Sequence, residues 1–98
     1  MTRVLVVEDE RDLQDVIGYN LRELGYDVAM TDQGSAVMTM VRAQRPDLVI
    51  LDLMLPKLDG LEVCRLLKAD ITTKNIPVIF LAGYNFFKDE IQAFISSG

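Results

Sequence analysis

The segment Asp47-Leu48-Val49-Ile50-Leu51-Asp52 constrains the fold more than any other stretch of the chain. Its apolar residues are consecutive rather than alternating, so a strand made from them has both faces in the core. Strands of that kind belong to parallel sheets covered by helices. Pro46 bounds the run on one side, and Pro56 and Gly60 follow it on the other. The run ends abruptly in one carboxylate, Asp52. Open α/β sheets bind their ligands at the carboxyl ends of the strands, so Asp52 is the first candidate functional residue.

The rest of the chain repeats this pattern. Arg3–Val7 is a second short apolar run, and it too ends in acids, Glu8 and Asp9. From Glu10 the period changes to helical, with Leu13, Val16, Ile17, Leu21 and Leu24 as the apolar stripe. Acids early and Arg22 late suit the helix dipole, and Gly25 is a C-cap. Tyr26–Met30 reads as a strand that is less apolar and nearer an edge. Ser35 is an N-cap candidate for a second helix with Ala36, Val37, Met40 and Val41 inward, ending before Pro46. After the central strand comes a loop, Leu53–Asp59. A third helix starts at Asp59-Gly60, with Leu61, Cys64, Leu66 and Leu67 on its inner stripe, and Asp70–Asn75 is a polar connection. Ile76–Leu81 is a fourth strand, with Pro77 tolerated near its start. Ala82-Gly83-Tyr84-Asn85 is a turn, and Phe87, Ile91, Phe94 and Ile95 suggest a fourth helix. Strand and helix thus alternate four times, which implies a parallel sheet with right-handed crossovers and helices on both faces. All strand ends then share one rim, where Glu8, Asp9 and Asp52 meet if the first and third strands are neighbours.

Composition narrows the chemistry available at that rim. The 98 residues suffice for one domain, residues 1–98, and half of them are hydrophobic. The net charge of −5 argues against direct nucleic-acid binding by this domain. The chain has no His, which removes the usual general base and any Ser-His or Cys-His pair. The single Cys64 forms no internal disulfide, in keeping with a reducing cytoplasm. The run Val4–Val7 is too short for a signal peptide, and no run approaches transmembrane length. Three converging carboxylates repel one another unless a cation offsets them. A hard divalent ion such as Mg²⁺ takes oxygen ligands and needs only one or two carboxylates. One carboxylate oxygen then remains as a nucleophile, and aspartate is a phosphoryl acceptor in enzymes. Asp12, Asp15 and Glu23 read as a solvated helix face, Asp59 as a turn residue, and Cys64, Met38 and Met40 as packing residues. For Tyr84, Phe86 and Phe87, local packing and a contact surface both stay open.

These residues resemble the receiver domain of two-component response regulators. Val4-Leu5-Val6-Val7-Glu8-Asp9-Glu10 is similar to that family's first strand and acidic pair. Leu51-Asp52-Leu53-Met54-Leu55-Pro56-Lys57-Leu58-Asp59-Gly60 is similar to its phosphoacceptor strand and the loop after it, and Pro77-Val78-Ile79-Phe80-Leu81 to its fourth strand. The resemblance runs from Arg3 to about Gly98. It implies a flavodoxin-like three-layer α/β/α sheet of order 2-1-3-4-5. It implies Asp52 as acceptor of a phosphoryl group from a histidine kinase or phosphotransfer protein, and Mg²⁺ as cofactor. Asp9 and Asp52 would be metal ligands, with Glu8 acting through water and Met54 through its backbone carbonyl. Such a module is a cytoplasmic signalling domain rather than an enzyme, assisting at most its own phosphotransfer.

Two departures from the family pattern accompany the resemblance. Ala82 stands at the switch position that normally holds Thr or Ser. The residues present also cover four strands and four helices, without the fifth strand, its Lys and the fifth helix. A fourth strand left at the sheet edge would favour self-association. Two readings therefore stand: a phosphoacceptor receiver, or a degenerate or truncated receiver acting as a phosphorylation-independent interaction or dimerisation module. A flavodoxin-like cofactor binder is a third, and the chain has no Gly-rich phosphate loop after its first strand to support it.

Overall fold

The computed structural model describes residues 1–52 and 60–81. Expectations for the loop at 53–59, for the Met54 carbonyl, for Ala82, for the aromatics at 84–87 and for a fourth helix lie outside the described residues.

Among the described residues, four parallel strands form one sheet: β1 (Arg3–Val7), β2 (Asp27–Thr31), β3 (Leu48–Asp52) and β4 (Val78–Leu81), in the order β2-β1-β3-β4. Their crossovers carry α1 (Arg11–Glu23), α2 (Val37–Gln44) and α3 (Gly60–Ala69). The two central strands are the two unbroken apolar runs, and both are buried. β2 is half-buried along its length, as its weaker hydrophobicity and edge position require.

Alternation along the strands divides the core in two. Val4, Val6, Leu48, Ile50 and Leu81 pack with Ile17 and Leu21 of α1 on one face. Leu5, Val7, Val49 and Leu51 pack with Val37 and Val41 of α2 and with Val63 and Leu67 of α3 on the other. This is the expected three-layer α/β/α arrangement. Gly18 is buried in α1, where a Cβ would come within 2.6 Å of the Met30 Cε of β2.

The helix ends follow local chemistry. Gly25 closes α1 at φ 89°, a conformation open to glycine at no steric cost. Its N–H bonds the Arg22 carbonyl at 2.9 Å, and the Tyr26 N–H bonds that of Leu21 at 3.1 Å, the two bonds of a Schellman ending. Beyond α3, the buried Thr73 hydroxyl donates to the Leu67 carbonyl at 2.6 Å. Arg42 of α2 bonds Asp70 at 2.6 Å, tying α2 to the same turn. That guanidinium, followed by the Thr72 hydroxyl and N–H, holds the Asp70 carboxyl well below the usual range.

Several local expectations change. Leu24 is 52% exposed and Leu61 61% exposed, so neither belongs to an inner stripe, while Val63 does. Leu24 comes after the last turn of α1, where the chain has begun its reversal, and Leu61 points outward from the first turn of α3. Ser35 is not an N-cap, because Gly34–Ala36 forms a 3₁₀ turn that leads into α2, and the residue before the helix is Ala36. Tyr26 precedes β2, and Ile76 and Pro77 precede β4. No helix among the described residues is long and apolar enough to cross a membrane.

Candidate metal and phosphoacceptor site

Parallel register builds the site. Val7 of β1 pairs with Leu51 of β3, and both strands point the same way. The residues that follow, Glu8 and Asp52, therefore emerge side by side at the carboxyl rim, with Asp9 one residue further on. One carboxylate oxygen from each of Glu8, Asp9 and Asp52 lies within 4.8 Å of the other two. Their environments differ: Glu8 is 3% exposed, Asp52 half-buried and Asp9 exposed.

The backbone around Glu8 is held at several points. Its N–H extends the β1–β2 ladder by one bond, to the Thr31 carbonyl at 3.0 Å. Its carboxyl oxygen accepts the Glu10 N–H at 3.1 Å. Its carbonyl accepts a hydrogen bond from the Gln14 side-chain amide. Gln14 sits in the first turn of α1 and belongs to no sequence motif, because the partner of its side chain is a backbone carbonyl.

Burial pushes the Glu8 carboxyl up to about 8, and the neighbouring carboxyls of Asp52 and Asp9 push the same way, against the Glu10 N–H. Without a cation, Glu8 thus holds a proton near neutral pH, which is how a crowded acidic site relieves its own repulsion. A divalent cation does the same work electrostatically. The donor set is all oxygen, which suits a hard ion of the Mg²⁺ or Ca²⁺ kind rather than a soft one.

Of the residues expected at the site, the structure brings together Glu8, Asp9 and Asp52. Asp12, Asp15 and Glu23 are exposed on α1, away from the inner faces. Cys64, Met38 and Met40 pack against the apolar cluster under α2 and α3.

Comparison with known proteins agrees with this geometry. The family model for the response regulator receiver domain matches residues 4–98, and the chain belongs to that family. It is 40% identical over 96 residues to the DNA-binding dual master transcriptional regulator RpaA of Synechocystis, covering 98% of this chain and 40% of that protein. It is 46% identical over 79 residues to the DNA-binding response regulator MtrA of Mycolicibacterium smegmatis, covering 81% of this chain and 33% of MtrA. The chain thus spans less than half the length of these curated relatives.

Among solved structures, the N-terminal domain of a response regulator receiver protein from Methanoculleus marisnigri superimposes with a TM-score of 0.81 at 33% identity, covering 86% of this chain and 68% of that one. The receiver domain of the sensor histidine kinase PA1611 from Pseudomonas aeruginosa gives a TM-score of 0.79 at 32% identity, covering 92% of this chain and 74% of that one. That structure was solved with a magnesium ion coordinated in its active site cleft. The fold, the carboxylate rim and these relatives define a receiver module of two-component signalling.

Proposed function

We propose that Asp52 is the phosphoacceptor of this receiver and that Glu8, Asp9 and Asp52 hold Mg²⁺ beside it. The observation that carries this reading is the convergence of three carboxylates within 4.8 Å at the shared rim of β1 and β3. By the family pattern, Asp9 and Asp52 would hold the cation directly and Glu8 would act through water. The family pattern adds the Met54 carbonyl. When bound, the cation supplies positive charge opposite the phosphoryl oxygens.

The chain's own part is nucleophilic. An Asp52 carboxylate oxygen forms the new P–O bond as the P–N bond of a kinase's phosphohistidine breaks, and the departing imidazole nitrogen keeps the electron pair and takes a proton. The half-buried position of Asp52 leaves it open to a partner's phosphohistidine while the packed β3 strand fixes its backbone. The partner is a histidine kinase or a phosphotransfer protein, and the chain acts as a signalling domain that assists its own phosphorylation.

Ala82 favours a second reading, an interaction module that works without phosphorylation, because alanine offers no hydroxyl to the phosphoryl group. Intact mass after incubation with Mg²⁺ and acetyl phosphate separates the two. One phosphoryl adduct on the parent chain and none on Asp52→Asn is the expected result. Mg²⁺ binding with no adduct on the parent favours the second reading.

A further inference from the structure

We propose that Gln14 is a positioning residue for the metal site, clamping the backbone on both sides of Asp9. The inference rests on the reading of Glu8, Asp9 and Asp52 as the residues that hold the cation. Gln14 makes two hydrogen bonds to this loop. Its backbone N–H bonds the Glu10 carbonyl at 3.0 Å, the first bond of α1. Its side-chain amide bonds the Glu8 carbonyl. The amide nitrogen, not the amide oxygen, must face that carbonyl, since only the nitrogen can donate. The two carbonyls that flank Asp9 in the chain are therefore both held by one residue.

The remaining bonds of the loop make the side-chain contact matter. The Glu8 N–H is fixed by Thr31 and the Glu10 N–H by the Glu8 carboxyl. The second of these fixings uses a carboxylate that the cation itself draws on. If the Glu8 carboxyl left the Glu10 N–H for the water around a cation, the Gln14 side chain would still tie the Glu8 peptide to α1. Asp9 is exposed. Its carboxylate is placed by its backbone, and that backbone is placed from Gln14. Groups that orient metal ligands without touching the metal commonly change affinity by about ten-fold or more when removed.

The test is Mg²⁺ titration of the folded protein, read by isothermal calorimetry with magnesium chloride, for the parent chain, Gln14→Met and Asn20→Ala. Methionine keeps the length of the side chain and removes the donor. Asn20 is a matched control on the same helix, since its side-chain amide bonds the Val16 carbonyl at 2.8 Å, away from the acidic rim. The expected result is about ten-fold weaker Mg²⁺ binding for Gln14→Met, with parent-like binding for Asn20→Ala. In the metal-free protein, amide exchange at Glu10 should quicken in Gln14→Met while the melting temperature stays near that of the parent. Binding by Gln14→Met within two-fold of the parent overturns the clamp and leaves the site reading intact. A parent chain that binds no Mg²⁺ overturns both. A Gln14→Met protein that melts early yet binds normally when folded assigns Gln14 to stability alone and also overturns the clamp.

Discussion

Val7 and Leu51 are register partners in adjacent parallel strands, and that single pairing sets Glu8 beside Asp52. The two carboxylates leave the sheet at the same height, one buried and one half-buried. Like charges forced together at a strand rim store a pH dependence in the fold.

The first prediction follows from Glu8. In the unfolded chain its carboxyl ionises near 4.5, whereas in the metal-free fold it keeps its proton up to about 8. Between these values the folded protein binds the extra proton, so stability is full below the lower value and falls as pH rises through the upper one. The slope is at most about 1.4 kcal/mol per pH unit. Mg²⁺ opposes it, because ionised carboxylates bind the cation and its stabilisation grows with pH. Urea unfolding from pH 5 to 8.5, with chelator and with Mg²⁺, checks both signs. Glu8→Gln should flatten the chelator series, and a parent chelator series that is already flat would show that Glu8 is ionised in the fold.

A second prediction concerns Asp52. Its carboxylate helps to raise the Glu8 carboxyl, so Asp52→Asn removes part of the repulsion at the rim. The metal-free variant should be more stable than the parent at pH 8, by about 1 kcal/mol, or several degrees in Tm for a chain of this size. Added Mg²⁺ should raise its Tm much less than that of the parent. Thermal melts with and without Mg²⁺ decide the matter, and equal Mg²⁺ shifts in the two proteins would remove Asp52 from the ligand set.

Sheet and site were legible in the sequence for the same reason. A strand buried on both faces has to be apolar throughout, so Val4–Val7 and Leu48–Leu51 announce themselves, and the first acid after each run marks the rim. The helices were read less well at their ends, where the periodicity argument loses its neighbours. Leu24 and Leu61 fit the spacing but sit where the helix has stopped or just begun, and both face solvent. Ser35 has the chemistry of a cap, yet the 3₁₀ turn of Gly34–Ala36 absorbs it. Gln14 escaped because its partner is a backbone carbonyl, which leaves no trace in side-chain pattern. The Glu8 carboxyl could be placed at the rim from sequence, but not its burial, which depends on tertiary packing.

Gly18 gives a third prediction. It is buried in α1 against β2, and an added Cβ meets the Met30 Cε at 2.6 Å and the Arg22 Nη1 at 2.9 Å. Both are the far ends of flexible side chains, so Gly18→Ala is accommodated by their movement. The helix-propensity gain of about 1 kcal/mol for replacing glycine offsets that adjustment. Gly18→Ala should therefore lie within about 1 kcal/mol of the parent. Gly18→Val adds two more carbons against the sheet and should cost about 1–3 kcal/mol through overpacking. Denaturant midpoints for the two variants check the order, and an equal loss for both would mean that the α1–β2 contact does not yield at all.

Thr73 supplies the last prediction. Its hydroxyl is buried and bonds the Leu67 carbonyl at 2.6 Å, closing the carboxyl end of α3 from a turn six residues later. A second, longer contact reaches the Asp70 carbonyl at 3.4 Å. Thr73→Val keeps the shape and deletes the donor, leaving the Leu67 carbonyl without this partner in a place water reaches poorly. The expected loss is about 1–3 kcal/mol. Thr73→Ser keeps the hydroxyl and loses one methyl, so it should retain the bond and cost less than Thr73→Val. The turn also carries Asp70, which ties it to Arg42 of α2, so loosening it should reach α2 as well. Amide exchange read residue by residue tests that spread. Faster exchange confined to the last turn of α3 would limit the role of Thr73 to a helix end, and faster exchange in both helices would make the turn the joint that holds α2 and α3 together.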